Sequence, residues 1–246
     1  MINIAYLYYD LMNLYGESGN IKALTNYLNN QNVKYKVHYL TIDDDLNFSK
    51  YDLVYIGYGT ENNRNIVLKH LMNYKKDIKN YIESNKYFLV TGNALSLFGK
   101  SINYDDNKIN CLNIFDYEVI NEKRKAYEAL FKFDDIKQVI VGFQNQMEYI
   151  NNYHLPLFEV GHGRGYLEDN KKEGVHYKNF YGTYLIGPLL SRCPYFLEYF
   201  TKRLILDINP KFKIKNNKLE LEKKAYKTFF NIYYMKNKEN INEWYI

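Results

Sequence analysis

The sequence predicts an α/β fold, an open and mostly parallel sheet with helices on both faces. Three observations predict it. Through the first hundred residues, short β-favouring runs alternate with stretches of helical periodicity in the order β-α-β-β-α-β-α. Two of the runs end in glycine-bearing turns, at 57–59 and 91–93. Hydrophobic residues make up 46% of the 246 residues, so a sizeable core can form.

Taken in order, residues 2–9 are rich in Ile, Tyr and Leu and read as a strand. Gly19 and Asn20 lead into a helix over 21–30, with Ile21, Leu24, Tyr27 and Leu28 on one face. "VKYKVHYLTI" at 33–42 alternates as a second strand, and "YDLVYIGYG" at 51–59 is a third that ends in glycines. Apolar residues recur at helical spacing over 66–82. Tyr87, Phe88, Leu89 and Val90 form the next strand, which runs into the turn residues Gly92 and Asn93. Ala94, Leu95, Leu97 and Phe98 then return to helical spacing. In such sheets ligands bind at the carboxyl ends of the strands, the edge that both glycine turns occupy. From 109 to 186 short strands recur in "CLNIFDYEVI", "ALFKF", "KQVIVGF" and "HYKNFYGTYLI", and Gly161, Gly163 and Gly165 share one loop. A helix over about 194–206 packs back, and another covers roughly 217–235. With no internal repeat or low-complexity linker, residues 1–208 read as one domain and 209–246 as a C-terminal helical extension.

Much of the apolar share is aromatic, with 28 Tyr and 14 Phe, so the chain can pack while carrying many hydroxyls. The net charge of +5 is spread along the length. The densest cationic stretch, 211–227, contains Glu220 and Glu222 and reads as a solvated helical face. A nucleic-acid surface would cluster cations among stacking aromatics, so no nucleic-acid partner is expected. The two cysteines, Cys111 and Cys193, give neither a disulfide framework nor zinc spacing. No two of the five histidines have metal-ligand spacing on one element, and no metal or other cofactor is expected. "MINIAYLYYDLMNLYG" carries Asp10 and no basic start, so it is not read as a signal peptide. No run approaches the length of a membrane span. The cytoplasm is the expected compartment, without membrane insertion.

The stretch "YFLVTGNALSLFGK", 87–100, has the form of a strand-to-helix elbow, on which enzymes mount an exposed nucleophile facing helix amides. Here the elbow holds Thr91, Gly92 and Asn93. In "GYGTENN", Gly57 and Gly59 let the backbone approach a ligand and offer N–H groups to an anion. A glycine turn is also the commonest way to end a strand. "YYDLMNLYGESGNI" reads as a polar loop capping the next helix. His38 lies in a strand and His70 in a helix, while His162, in the glycine loop, has the best claim to a pocket. A lone loop histidine is more often structural. Cys193 precedes Pro194 at a helix start, a place that can lower a thiol pKa, but no base lies near it in sequence. Cys111 has nothing beside it to activate it.

Five stretches carry a resemblance: "LMNLYGESGNI", "VYIGYGT", "FLVTGNALSLFGK", "IVGFQN" and "EGVHYKNFYGTYLIGPLL", running in order from residue 11 to 190. The last is the most specific, with Glu173-Gly174, Tyr177, Asn179, Gly182-Thr183-Tyr184-Leu185 and Gly187-Pro188. Together they resemble class I glutamine amidotransferases of the cobyric-acid-synthase-like (CobB/CobQ-like) branch. Within it they resemble the GatD-type glutaminase subunits, which work with a MurT-like, Mur-ligase-type ATP-dependent enzyme to amidate lipid II. The resemblance implies a flavodoxin-like class I amidotransferase fold and a chemistry. An elbow cysteine attacks the glutamine side-chain amide, and a late histidine serves as base. Backbone amides of the glycine turn and the elbow stabilise the oxyanion. Ammonia then passes to the partner.

The chain departs from that pattern where the chemistry sits. The family cysteine position falls on Thr91 or Gly92, and the family histidine position falls on Ile186, with no histidine after His176. The family's Phe-Glu-Asn-His-Gly-Gly becomes Phe143-Gln144-Asn145-Gln146-Met147-Glu148. A threonine hydroxyl is a poor nucleophile without a base, and Ile186 cannot titrate. Nucleophile and base act as a unit, so losing one already removes most of the rate. The resemblance implies a surviving ligand site made of Gly57, Gly59, Asn93, Arg124 and Asn145. Gly57 and Gly59 match the oxyanion turn, and Tyr58 replaces a small residue there and is placed to fill the pocket. Arg124, in "NEKRKAYE", falls near a family arginine suited to hold the glutamine carboxylate by a bidentate contact. The plain alternative for Arg124 is a surface residue on a strand.

The resulting expectation is a GatD-like subunit associated with a MurT-like partner in cell-wall precursor amidation, itself without glutaminase activity. Two alternatives stand beside it. One is a working amidotransferase whose nucleophile is unconventional or supplied by the partner. The other is a protein that binds glutamine or another amino acid in the old pocket.

Overall fold

The computed structural model describes residues 1–151, 153–167, 170–216 and 219–233. β1 (Ile2–Leu7) opens the chain, and α1 (Ser18–Asn30) follows, burying Ile21, Leu24, Tyr27 and Leu28 along one stripe. β2 (Tyr35–Leu40) is partly exposed, whereas β3 (Leu53–Ile56) is wholly buried. α2 (Glu61–Leu71) is capped by Thr60, whose hydroxyl accepts the Asn63 N–H at 3.1 Å. α3 (Lys75–Glu83) and β4 (Tyr87–Thr91) complete the first half. The second half contains β5 (Ser101–Asn103), β6 (Lys108–Asn110), β7 (Glu118–Lys132), β8 (Ile140–Ile150), β9 (Phe158–His162), β10 (Lys172–Glu173), β11 (Val175–Tyr177) and β12 (Phe180–Thr183). α4 (Leu189–Arg192), α5 (Pro194–Ile208) and α6 (Glu220–Tyr233) follow.

The first sheet has the order β11-β12-β4-β3-β1-β2, and every pair is parallel except β11 with β12. Alternation along the strands sends side chains to two faces. Tyr6, Tyr55, Leu89 and Tyr181 join Leu24 of α1 and Phe196 and Phe200 of α5 in one buried cluster. Ala5, Val54 and Phe88 join Val67 of α2 and Ile78 of α3 in the other. β3 and β4 are covered on both faces, which is why their sequences run almost continuously apolar. The fold is therefore the α/β sheet with helices on both faces that the sequence predicts.

A second sheet, in the order β10-β9-β7-β5-β6 with β8 added on β7, makes up the other half. The two meet where Phe143 of β8 bridges Ile186, just past β12. The long antiparallel pair β7–β8 replaces the short strands expected between 111 and 143. Its central stretch, "NEKRKAYE", is polar and partly exposed and carries a bulge, so it lacks the apolar alternation that marks a strand. Gly161 lies inside β9 and not in a loop with Gly163 and Gly165.

Two helix expectations are also corrected. The periodic stretch 66–82 is two helices joined by a short 3-10 turn, Met72–Tyr74. Both share the same repeat, so periodicity alone does not reveal the joint. After the elbow, Gly92–Phe98 is a 3-10 segment with every residue buried. Its last two carbonyls have partners outside the segment. Leu97 O accepts from Leu112 N at 2.9 Å, and Phe98 O accepts from Ile114 N and Phe115 N at 3.0 Å. Those oxygens are taken by the following loop, so no α-helical ladder continues.

Beyond α5 the chain returns over α1 and α5. The buried Gln31 side chain exchanges two hydrogen bonds with the Lys215 backbone, at 2.8 and 3.0 Å. Tyr226 donates to Val139 O at 2.8 Å, and Lys223 pairs with Glu198 at 3.1 Å. Of the helix expected over 217–235, residues 217, 218, 234 and 235 lie outside the described residues. Among the described residues no helix is long and apolar enough to cross a membrane.

Candidate active site at the strand-to-turn elbow

β4 delivers Thr91, Gly92 and Asn93 to the carboxyl edge of the first sheet, where all three are buried. Gly92 has φ +64°, in the left-handed region that disfavours residues with a Cβ. Tyr58, 4% exposed, lies directly against it. A Cβ at Gly92 would meet Tyr58 Cβ at 2.7 Å and its ring closer still. The ring therefore occupies the space into which a side chain at 92 would project. This is the filling of the glycine-turn pocket that the sequence predicts for Tyr58.

Thr91 is extended, at φ −122°, and turns its hydroxyl to the α1 side of the sheet. There it donates to the carboxylate of Glu17, a fully buried residue at the start of α1. Tyr55 of β3 donates to the same carboxylate oxygen at 2.6 Å, Asn20 at 3.3 Å, and the Gly187 N–H reaches the other oxygen at 3.3 Å. Burial pushes the Glu17 carboxyl up to about 6, and the hydrogen bonds from Thr91, Tyr55 and Gly187 oppose the shift. Glu17 is thus a hub joining the loop after β1, β3, the elbow and the loop after β12. The sequence reading as a capping loop missed it, because Glu17 makes no side-chain cap to α1. Tyr55 carried the available signal. A tyrosine hydroxyl in a wholly buried strand needs a polar partner.

The glycine turn is tied to the elbow. Gly59 N donates to Asn93 Oδ1 at 3.2 Å, and Asn93 Nδ2 donates to Gly59 O at 2.8 Å. Both glycines pack on the 12–17 loop. A Cβ at Gly57 would lie 2.7 Å from Glu17 Cβ, and one at Gly59 would run into Met12 Sδ. Ile186 is 1% exposed and donates its N–H to Phe143 O at 3.0 Å. Its neighbour Gly187 binds Glu17, so the turn, the elbow and the late segment converge.

Arg124 and Asn145 stand over Tyr58. Between Asn121 and Lys125 the β7–β8 register shifts, and Arg124 sits in that bulge. Bulges re-aim side chains in this way. Arg124 Nη2 donates to Glu61 Oε1 at 2.8 Å, and Nη1 reaches Asn145 Oδ1 at 3.3 Å and the Tyr58 hydroxyl at 3.4 Å. Asn145 Nδ2 donates to Tyr15 OH at 3.0 Å, and the Tyr15 ring lies 5.3 Å from that of Tyr58. Burial raises the Tyr58 hydroxyl pKa, against the pull of Arg124, so it stays a neutral phenol. The structure therefore brings Gly57, Gly59, Asn93, Arg124 and Asn145 to one place and adds Glu17, Tyr55, Tyr58 and Glu61.

The remaining candidates lie apart from this chemistry. Cys193 is buried, with Sγ 2.9 Å from Val141 O, and burial pushes its thiol up to about 12. Cys111 is likewise buried, and its thiol is also pushed up to about 12. Neither is a thiolate near neutral pH. His162 is exposed at the end of β9, and His176 stacks on Tyr181 at 4.6 Å.

Residues 3–194 match the CobB/CobQ-like glutamine amidotransferase domain. The sequence is 30% identical over 196 residues to lipid II isoglutaminyl synthase (glutamine-hydrolyzing) subunit GatD of Streptococcus pneumoniae (strain ATCC BAA-255 / R6), covering 78% of this chain and 75% of that one. It is 30% identical over 207 residues to the subunit of the same name from Staphylococcus aureus (strain N315), covering 82% and 85%. Two crystal structures share the fold. One glutamine amidotransferase has TM-score 0.54 at 12% identity, over 82% of this chain and 98% of the other. A glutamine amidotransferase of Thermotoga maritima has TM-score 0.50 at 14% identity, over 92% of each. The chain belongs to the CobB/CobQ-like glutamine amidotransferase family.

Proposed function

We propose that this chain is a GatD-type subunit that joins a MurT-like, Mur-ligase-type ATP-dependent partner in lipid II amidation, in the cytoplasm, and hydrolyses no glutamine itself. The likeness to two subunits named for lipid II isoglutaminyl synthase supports the first part. Exposed tyrosines such as Tyr15, at 45%, and Tyr39, at 56%, suit an interface. The observation that carries the second part is Gly92. It holds the left-handed conformation of a nucleophile elbow, yet it has no side chain and lies under the Tyr58 ring.

Thr91 is no substitute in this reading. Its hydroxyl is buried and already donates to Glu17, away from Tyr58. Ile186 supplies no base. Gly57, Gly59, Asn93, Arg124 and Asn145 are then the surviving frame of an amino-acid site and not catalytic groups.

The test is glutamine-dependent ammonia release by the purified chain, alone and co-expressed with a MurT-type ligase. We expect a stable complex and no ammonia from this subunit. Recovery of only the free chain would contradict the partner. Ammonia release that is lost in Thr91→Ala would establish the alternative, a working enzyme with an unconventional nucleophile.

A further inference from the structure

Tyr58 and Glu61 belong to one short segment, the turn from β3 into α2. That segment does two things at the same place. Tyr58 covers the backbone of Gly92, and Glu61 places its carboxylate 2.8 Å from Arg124. The carboxylate sits in the first turn of α2, where the helix dipole favours negative charge. Arg124 meanwhile spends its other terminal nitrogen on Asn145 and the Tyr58 hydroxyl.

We infer that the 58–61 segment is a built-in occupant of a carboxylate-binding cleft, with Glu61 held on Arg124 where the carboxylate of a free amino acid would bind. The inference rests on the family reading of the cleft and goes beyond it, because it assigns the closure to this chain's own side chains. A guanidinium pairs with a ligand carboxylate by the same hydrogen bonds it now gives to Glu61. Glu61 is tethered, so it competes at a high effective concentration that a free ligand must overcome. The apparent affinity for ligand falls by the fraction of molecules in which the segment is displaced. Tyr58 adds a steric closure that a ligand reaching toward the elbow must also displace.

The test uses L-glutamine as probe, with titration calorimetry on the full chain and on Glu61→Gln, Tyr58→Ala and the double variant. Glu61 is 40% exposed at its side chain, so Glu61→Gln should fold normally and carries the test if Tyr58→Ala does not fold. We expect Glu61→Gln to bind L-glutamine severalfold more tightly than the unmodified chain, and the folded double variant roughly tenfold or more. Adding Arg124→Ala to either should abolish the gain, and L-glutamine methyl ester, which lacks the carboxylate, should show none. The inference is overturned if the unmodified chain binds L-glutamine as tightly as the variants, or if the gain survives Arg124→Ala. Ammonia release by the unmodified chain is a separate outcome. It would contradict the non-hydrolytic reading, whereas unchanged affinities without ammonia would contradict only the occupant.

Discussion

Burial raises two carboxyls at and just past the carboxyl end of β12, and their signs set a pH dependence. Glu17 is pushed up to about 6 and Glu173 to about 7, from an ordinary value of 4.5. Glu173 is fully enclosed, accepting from Tyr184 N at 2.7 Å, with the Thr183 hydroxyl 3.0 Å from both of its oxygens. Above pH 4.5 the unfolded chain has released protons that the folded chain still holds. Stability therefore falls as pH rises through this window, by about 2 kcal/mol for Glu17 and about 3 kcal/mol for Glu173. His176, whose pKa burial lowers, acts in the opposite direction, so the variants isolate the effect. Urea unfolding of Glu17→Gln and Glu173→Gln against the unmodified chain should give stability differences that change with pH between 4.5 and 7. Curves that stay parallel would contradict the assignment. At this scale the sequence left Thr91 and Gly92 equivalent, because a one-residue shift in an alignment costs nothing. The backbone separates them. Gly92 alone carries the left-handed φ, and Thr91 faces the other side. Glu17 was hidden because an acid between glycines before a helix looks like a cap.

Among elements, α2, the 3-10 segment and β8 are pinned by a buried ion pair. Arg64 of α2 is fully buried and pairs with Glu148, whose side chain is 3% exposed. Ser96 donates to the other Glu148 oxygen at 2.6 Å, and Tyr104 accepts from Arg64 at 2.9 Å. Removing one partner strands a charge. Arg64→Met should lower unfolding stability by about 3–5 kcal/mol, while Arg64→Met with Glu148→Met should recover much of that loss. A loss below about 1 kcal/mol for the single variant would show that the pair is not doing this. The pair itself was not legible, since its members are 84 residues apart in sequence. The strands around the elbow were legible because β3 and β4 are apolar runs punctuated by glycine turns. β7 was not, because its bulge and its charged middle erase the alternation. The 3-10 segment was not either, because what ends its helical ladder is the distant 112–115 loop.

At the scale of the molecule, the two sheets close on one another at Phe143 and Ile186, beside the loop that binds Glu17. The family architecture therefore survives around the altered residues. The scaffold depends on apolar strands and turn chemistry, which the chain keeps. In the proposed reading, hydrolysis needs a nucleophile and a base at the positions of Gly92 and Ile186, and this chain has neither side chain there. In that proposed reading the elbow is intact but closed and without a nucleophile. Intact-mass analysis after exposure to a thiol-reactive glutamine analogue, 6-diazo-5-oxo-norleucine, tests this most directly. The unmodified chain should gain no adduct. A variant combining Gly92→Cys, Ile186→His and Tyr58→Gly should gain one at residue 92, whereas Gly92→Cys and Ile186→His with Tyr58 retained should not, because the Tyr58 ring and its Cβ fill that space. An adduct on the unmodified chain at Thr91, Cys111 or Cys193, or equal labelling with and without Tyr58, would contradict the account.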